Sequence, residues 1–384
     1  MARAVPATIA DQRFMREALA LARAMLGRTS PNPAVGCVIV KAGRIVGRGA
    51  TAEGGRPHAE TIALAEAGRR ARDATVYVSL EPCAHQGVTP PCARALIDSG
   101  VARVVAGCVD PYRAVRGRGL AMLRRGGVAV TAGVLESECI RLNEGFFTRV
   151  RRGRPFATLK LALSLDGRIA AASGDSRWIS SDASRDLVHR WRAESDAVIV
   201  GAGTVIADNP RLNCRIAGGR DPIRVVIDGQ LRCSPEARVF RIRSKASAIL
   251  VTIPRNLALA RARFAGARVE VIACDSQAGA AAEQIDLAVL MREFGRRGFS
   301  RVLIEGGAHL AGFALAAGVV DRVAFFLAPI IVGSGIPAVE GIAAARIKDA
   351  IRLVAMSPRA VGPDLLIEAG LKPARVRKSR TEAR

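Results

Sequence analysis

Aromatic side chains are scarce in this 384-residue chain: they make up 4% of it, with two Trp and two Tyr. That argues against a groove for single-stranded nucleic acid, which stacks bases on aromatic platforms. Lysine is scarcer still, six of the 58 basic residues, so the positive charge is almost all arginine. No stretch approaches 18 uninterrupted apolar residues, which excludes an obvious membrane-spanning helix. The opening MARAVPATIADQRF has no apolar core followed by a small-residue cleavage site, so neither export nor membrane anchoring is expected. Six of the eight cysteines stand singly in apolar segments (Cys37, Cys108, Cys139, Cys214, Cys233 and Cys274), the pattern of reduced, buried thiols in a cytoplasmic protein.

What is present is an alanine-, valine- and glycine-rich chain, half hydrophobic, long enough for two cores. The net charge of +24 raises the question of a polyanionic partner. Its distribution answers against one: 21 basic against 12 acidic residues up to position 150, and 37 against 22 afterwards, leave excesses of +9 and +15 with no concentrated arm. The first half alternates helix and strand signals: a helix over 11–26, a hairpin of VGCVIV and RIVGRGA, a helix over 58–71, TVYVSL, a helix from Cys92, RVVAGCV, a helix near Leu120 and VAV. RVRRGRP, 149–155, reads as a linker. A second series follows (FATLKLALS, DAVIVG, IRVVID, AILVT, RVEVIA, RVLIEG, VAFFLAPIIVG), with helices near 181–191, 285–296 and 307–317. The expected domains are 1–150 and 151–370, with 371–384 a basic, disordered tail.

Three segments of the first half carry chemistry: Pro57-His58-Ala59-Glu60, Glu81-Pro82-Cys83 and Pro91-Cys92. A hydrolytic zinc takes three protein ligands and keeps a fourth position for water, whose pKa it lowers from about 15.7 to about 7. His58, Cys83 and Cys92 fill that requirement. Cys92 is expected at a helix N-terminus, where the dipole favours a thiolate. Glu60, in the first turn of the following helix, can take a proton from the water and pass it to leaving ammonia, a group that a structural zinc does not need. His-x-Glu followed by Pro-Cys-x-x-Cys is the signature of zinc nucleobase deaminases. Here eight residues, AHQGVTPP, separate the cysteines instead of two, which lengthens the loop.

SPNPAVGCVIV, GGRPHAETIAL, VSLEPCAHQGVTPPC and DPYRAVRGRG, in this order and spacing, resemble the N-terminal domain of a known bacterial family. These are the bifunctional riboflavin-biosynthesis proteins, in which a diaminohydroxyphosphoribosylaminopyrimidine deaminase is joined to a 5-amino-6-(5-phosphoribosylamino)uracil reductase. LKLALSLDGRIA, SGDSRWISS, DNPRL, IRVVID and LIEGGAHLAG resemble its second domain, so the likeness runs to about residue 370. The resemblance implies an α/β fold: a cytidine-deaminase-like three-layer domain followed by a dihydrofolate-reductase-like domain. It also implies zinc and NADPH as cofactors, a pyrimidine ribosyl phosphate as small-molecule substrate, and a homodimer through the reductase domain, with no nucleic-acid or membrane partner.

Without the resemblance the second half is less legible. No GxGxxG follows a strand, so a Rossmann site is not indicated. Gly201-Ala202-Gly203-Thr204 and Gly306-Gly307 are glycine-rich helix starts after strands, where backbone N–H groups can hold phosphate. By resemblance the cofactor meets Ala162, Trp178, Thr204, Asp208 and the run Gly307, Ala308, His309, Leu310, Ala311, Gly312 and Phe313. Substrate contacts fall on Ser176, Arg192, Leu212, Arg215 and Glu305, the arginine forks suiting a sugar phosphate. Gly229 stands where family members often carry a serine. The alternatives are a zinc deaminase acting on tRNA or single-stranded DNA, which leaves the second domain without a purpose, and a zinc-stabilised scaffold, which leaves Glu60 without one.

Overall fold

The computed structural model describes residues 8–86, 90–275 and 284–371. The rest of the loop between Cys83 and Cys92, and the tail from residue 372, lie outside the described residues. Two compact units divide the chain: Met1–Phe156 with Phe294–Ser300, and Ala157–Glu293 with Arg301–Arg384.

In the first unit, five strands form one sheet: β1 (Gly36–Lys41), β2 (Arg44–Ala50), β3 (Thr75–Val78), β4 (Arg103–Ala106) and β5 (Ala129–Ala132), in the order β2-β1-β3-β4-β5. β1 runs antiparallel to β2 and β3, and β3, β4 and β5 are parallel. Its helices are α1 (Ile9–Ala24), α2 (Ala59–Ala67), α3 (Cys92–Asp98), α4 (Arg118–Arg125), α5 (Glu136–Leu142) and α6 (Glu144–Arg152). The expected linker is in part helix: residues up to Arg152 complete α6, which buries Phe147 and stops at Gly153, in the left-handed region at φ 67°. Asp11, 1% exposed, caps α1 with Thr8 and accepts two Arg103 bonds at 2.9 Å and the Tyr77 hydroxyl, tying α1 to β3 and β4. α2 rests directly on β2. An added Cβ at Gly47 would lie 2.3 Å from the Ala63 carbonyl oxygen, and one at Gly49 2.1 Å from that of Ala59, so only glycine admits this approach.

The second unit holds a nine-stranded sheet. Its strands are β6 (Phe156–Leu163), β8 (Ala197–Gly201), β9 (Ile223–Ile227), β10 (Ala248–Thr252), β11 (Val269–Ala273), β12 (Arg301–Ile304), β13 (Arg322–Leu327), β15 (Leu353–Val361) and β16 (Asp364–Leu371), ordered β11-β10-β9-β8-β12-β6-β13-β16-β15. β7 (Arg168–Ala170) pairs separately with β14 (Ile336–Pro337). The run from β11 to β12 is parallel, as is β6 with β13, and β16 and β15 close one edge antiparallel. β10, AILVT, is buried at all five residues, as a parallel strand covered on both faces requires. The helices are α7 (Asp182–Glu194), α8 (Ala202–Asp208), the short α9 (Arg238–Arg241), α10 (Leu257–Arg263), α11 (Leu287–Arg296) and α12 (Ala308–Ala316). α8 and α12 start at the carboxyl ends of β8 and β12, the edge where open parallel sheets bind ligands. No helix among the described residues is long and apolar enough to cross a membrane.

Candidate functional site

In the first unit, His58 is the N-cap of α2, Cys92 begins α3, and Cys83 sits in the loop after β3. Their ligand atoms all lie within 4.8 Å of one another. His58 turns Nδ1 to both sulfurs, 3.3 Å from Cys92 Sγ and 3.8 Å from Cys83 Sγ. A tetrahedral zinc with ordinary bond lengths separates N and S donors by about 3.6 Å. The donor set and its spacing therefore fit that ion.

The structure corrects one expectation about the cysteines. The N-terminal amide of α3, on Cys92 itself, donates to Cys83 Sγ at 3.2 Å, so the helix end serves the neighbouring sulfur. Hydrogen bonding from Cys92, with burial opposing and His58 assisting, brings the Cys83 thiol down to about 4. Cys92 moves up, because its S–H donates a hydrogen bond to the Cys83 sulfur and is itself buried. His58 moves up through its hydrogen bond to Cys83. Glu60 is 4% exposed, and burial pushes its carboxyl up to about 7, against a backbone hydrogen bond and with help from the Cys83 sulfur.

Sequence reasoning missed Glu81. Its carboxylate accepts four backbone N–H groups, from Asp110 (3.2 Å), Gly117 (2.9 Å), Gly119 (2.9 Å) and Leu120 (3.2 Å). It thereby fixes the DPYRAVRGRG loop two residues from a proposed ligand. A buried carboxylate among glycine-rich residues leaves no periodic signal. Asp110, in the same loop, is raised to about 6 by burial.

In the second unit, two clefts open at the strand ends, of about 1030 Å³ and about 510 Å³. Ser176, Thr204, Asp208 and Gly307 line both. Ala308, His309, Leu310 and Phe313 line the larger, and Ala162, Trp178, Arg192, Leu212, Arg215 and Glu305 the smaller. Ala311 and Gly312 line neither: Ala311 is fully buried, and an added Cβ at Gly312 would lie 1.6 Å from the Glu340 carbonyl oxygen. Thr204 Oγ1 accepts the Gly307 N–H at 3.2 Å, joining the starts of α8 and α12.

The Arg192 fork goes to Glu305 rather than to open space, with Nε–Oε1 at 2.7 Å and Nη2–Oε2 at 2.8 Å, and Nη1 donates to the Asn213 carbonyl at 3.1 Å. Burial would raise the Glu305 carboxyl, but Arg192 holds it below its ordinary value. Arg215 keeps a cleft position, its pKa lowered by burial and by Arg192, Arg211 and Arg185. Lys160, which sequence reasoning did not single out, also lines the smaller cleft, where burial lowers its amine and Glu305 opposes the shift.

Comparison with known proteins agrees with both halves. Residues 8–108 match the cytidine and deoxycytidylate deaminase zinc-binding region, and residues 155–367 match the RibD C-terminal domain. The riboflavin biosynthesis protein RibD of Synechocystis sp. is 41% identical, over 93% of this chain and 95% of its own. That of Escherichia coli is 41% identical, over 93% and 98%. The solved structure of Acinetobacter baumannii RibD superposes with a TM-score of 0.81 at 36% identity, covering 94% of this chain and 99% of that one. A diaminohydroxyphosphoribosylaminopyrimidine deaminase/5-amino-6-(5-phosphoribosylamino)uracil reductase from Thermotoga maritima does so with 0.81 at 35%, with the same coverage.

Proposed function

The chain belongs to the RibD family of bifunctional riboflavin-biosynthesis enzymes, and from that premise we propose which of its residues run each of the two reactions. It is a zinc-dependent deaminase and an NADPH-dependent reductase. The first activity hydrolytically deaminates 2,5-diamino-6-ribosylamino-4(3H)-pyrimidinone 5′-phosphate. The second reduces the ribosyl side chain, giving 5-amino-6-ribitylaminouracil 5′-phosphate.

The deaminase domain is assigned to 1–150, with His58 Nδ1 and the sulfurs of Cys83 and Cys92 as the metal donors. Bound zinc acidifies water, supplying a nucleophile near neutral pH. Glu60 takes the proton as the water oxygen bonds to the amino-bearing ring carbon, then returns it to the departing amine, so water enters and ammonia leaves. Burial beside the donor residues places the Glu60 carboxyl where it can both take and return that proton. The observation that carries this reading is the buried Glu60 beside one imidazole nitrogen that faces two sulfurs at 3.3 and 3.8 Å.

The reductase domain is assigned to 151–370. NADPH would supply the hydride, and the residues common to both clefts, Ile169, Ser176, Thr204, Asp208 and Gly307, with Ala162 and Trp178 of the smaller, would hold its nicotinamide end. Ala308, His309, Leu310 and Phe313 form the cofactor wall, while Ala311 and Gly312 let α12 pack closely behind it. Arg215, with Leu212 and Ser176, receives the sugar phosphate substrate. Arg192 works by holding Glu305, which leaves that carboxylate ionised at the reacting sugar. The remaining elements of the reading are a cytoplasmic homodimer joined through the reductase domain, and no nucleic-acid partner.

The test is a two-step assay on the purified full chain. Ammonia release from the diaminopyrimidine substrate should stop on removal of metal by a chelator and return with added zinc. NADPH oxidation with the deaminated intermediate should continue throughout. Ammonia release indifferent to chelation, or no NADPH oxidation by folded protein, contradicts the assignment.

A further inference from the structure

The larger reductase cleft has a polarity that the activity itself does not explain. It runs along the carboxyl ends of β12, β8, β9 and β10, three strand spacings or about 14 Å. Its β12–β8 end merges with the smaller cleft. Its only acidic lining residues among those described are Asp208, at that merged end, and Glu340, whose carboxylate pairs with His309 Nε2 at 3.0 Å. The far end is lined by two exposed arginines instead, Arg232 after β9 and Arg255 in the turn Pro254–Asn256 after β10.

We propose that Arg232 and Arg255 bind the 2′-phosphate of NADPH and set the enzyme's preference for NADPH over NADH. This rests on the NADPH reading above. With the nicotinamide at the merged end, an extended dinucleotide would place its adenosine ribose about three strands away, at the end that these two arginines line. A ribose bearing a free 2′-hydroxyl is usually met by a carboxylate, and a 2′-phosphate by arginine. Asp228, directly after β9, is 2% exposed and does not line the cleft; its Oδ2 accepts the Cys233 N–H at 2.7 Å. The two arginines stand on connected loops, because Asn256 Nδ2 donates to the Gly229 carbonyl at 2.7 Å. That link joins the β9 turn to the β10 turn before ligand arrives, so little ordering remains to oppose binding.

Binding is measured on the full chain, without turnover, by titration calorimetry with NADPH, NADH and adenosine 2′,5′-bisphosphate, each at low and high salt. The wild type should prefer NADPH to NADH and lose that preference as salt rises. Arg232→Ala and Arg255→Ala should each weaken NADPH and the bisphosphate about tenfold, or about 1.4 kcal/mol, with NADH changed less than twofold. Arg255→Lys should recover part of the loss, and matching circular dichroism and melting would exclude misfolding. Variants that weaken NADPH and NADH equally, or neither, overturn the assignment. An NADH preference in the wild type overturns it too. Wild type that binds neither dinucleotide removes the cofactor reading and this assignment with it.

Discussion

Replacing Gly49 by alanine probes how far the deaminase depends on the seating of one helix. The added Cβ would stand 2.1 Å from the Ala59 carbonyl oxygen and 2.6 Å from the Ala63 nitrogen, both backbone atoms that no side-chain rotation can move. An ordinary C···O contact is about 3.3 Å, so α2 must retreat by about 1.2 Å or β2 must bend. Ala59 lies between His58 and Glu60, and the same shift therefore displaces both a proposed metal donor and the proposed proton carrier. Overpacking of this kind costs about 1–3 kcal/mol of stability, and a misplacement of about 1 Å at a catalytic group lowers turnover by about 10²-fold. The assay compares ammonia release, zinc content by mass spectrometry, and NADPH oxidation with deaminated substrate. Ammonia release should fall by about that factor with reduced zinc content, while reduction, which belongs to the other unit, stays at the wild-type rate. Full deamination by the variant would refute the close seating of α2, and equal loss of both activities would show that the damage is not local.

Asp11→Asn tests the tie between α1 and the sheet. Burial would raise this carboxyl, but Arg103 above all, then the Thr8 amide and Tyr77, hold it below the ordinary 3.8. Its stabilisation is therefore complete above that value and disappears as pH falls through the lower folded value. Denaturant titrations from neutral pH to below pH 4 should show the wild type losing this term in acid and the variant lacking it at every pH, with a neutral-pH loss of about 1.5–3 kcal/mol; identical acid limbs would contradict the sign. Glu305→Gln leaves the Arg192 guanidinium with no counter-charge at its fork, and should lower kcat/KM for NADPH-dependent reduction by about 10²-fold without touching ammonia release. A variant that reduces substrate at the wild-type rate would remove Glu305 from the site.

The His58, Cys83 and Cys92 cluster of the candidate deaminase site was readable because its signals are local: His58 and Glu60 sit at one helix start, and each of these cysteines follows a proline in an unusual loop. What could not be read was which backbone group serves which sulfur. The spacing put Cys92 at a helix N-terminus, but only the fold turns that amide toward Cys83. The helices and inner strands of the second half announce themselves as apolar runs. The β15–β16 hairpin does not, since β15, LVAMSPRAV, is exposed over most of its length and contains a proline, as an edge strand can. Arg192 and Glu305 lie 113 positions apart, and no periodicity signals that a fork suited to phosphate already holds a carboxylate. The segment expected to link the domains instead supplies the last turn of α6, where Arg149 and Arg151 lie over the rings of Phe146 and Phe147, so its polarity alone was misleading.

The most direct measurement is made on Glu60→Gln, which keeps the size of the side chain and removes its ability to carry a proton. Zinc content and ammonia release are determined on the same preparation. The account predicts wild-type metal content with ammonia release reduced by at least about 10²-fold. Deamination at the wild-type rate by the zinc-loaded variant would contradict it.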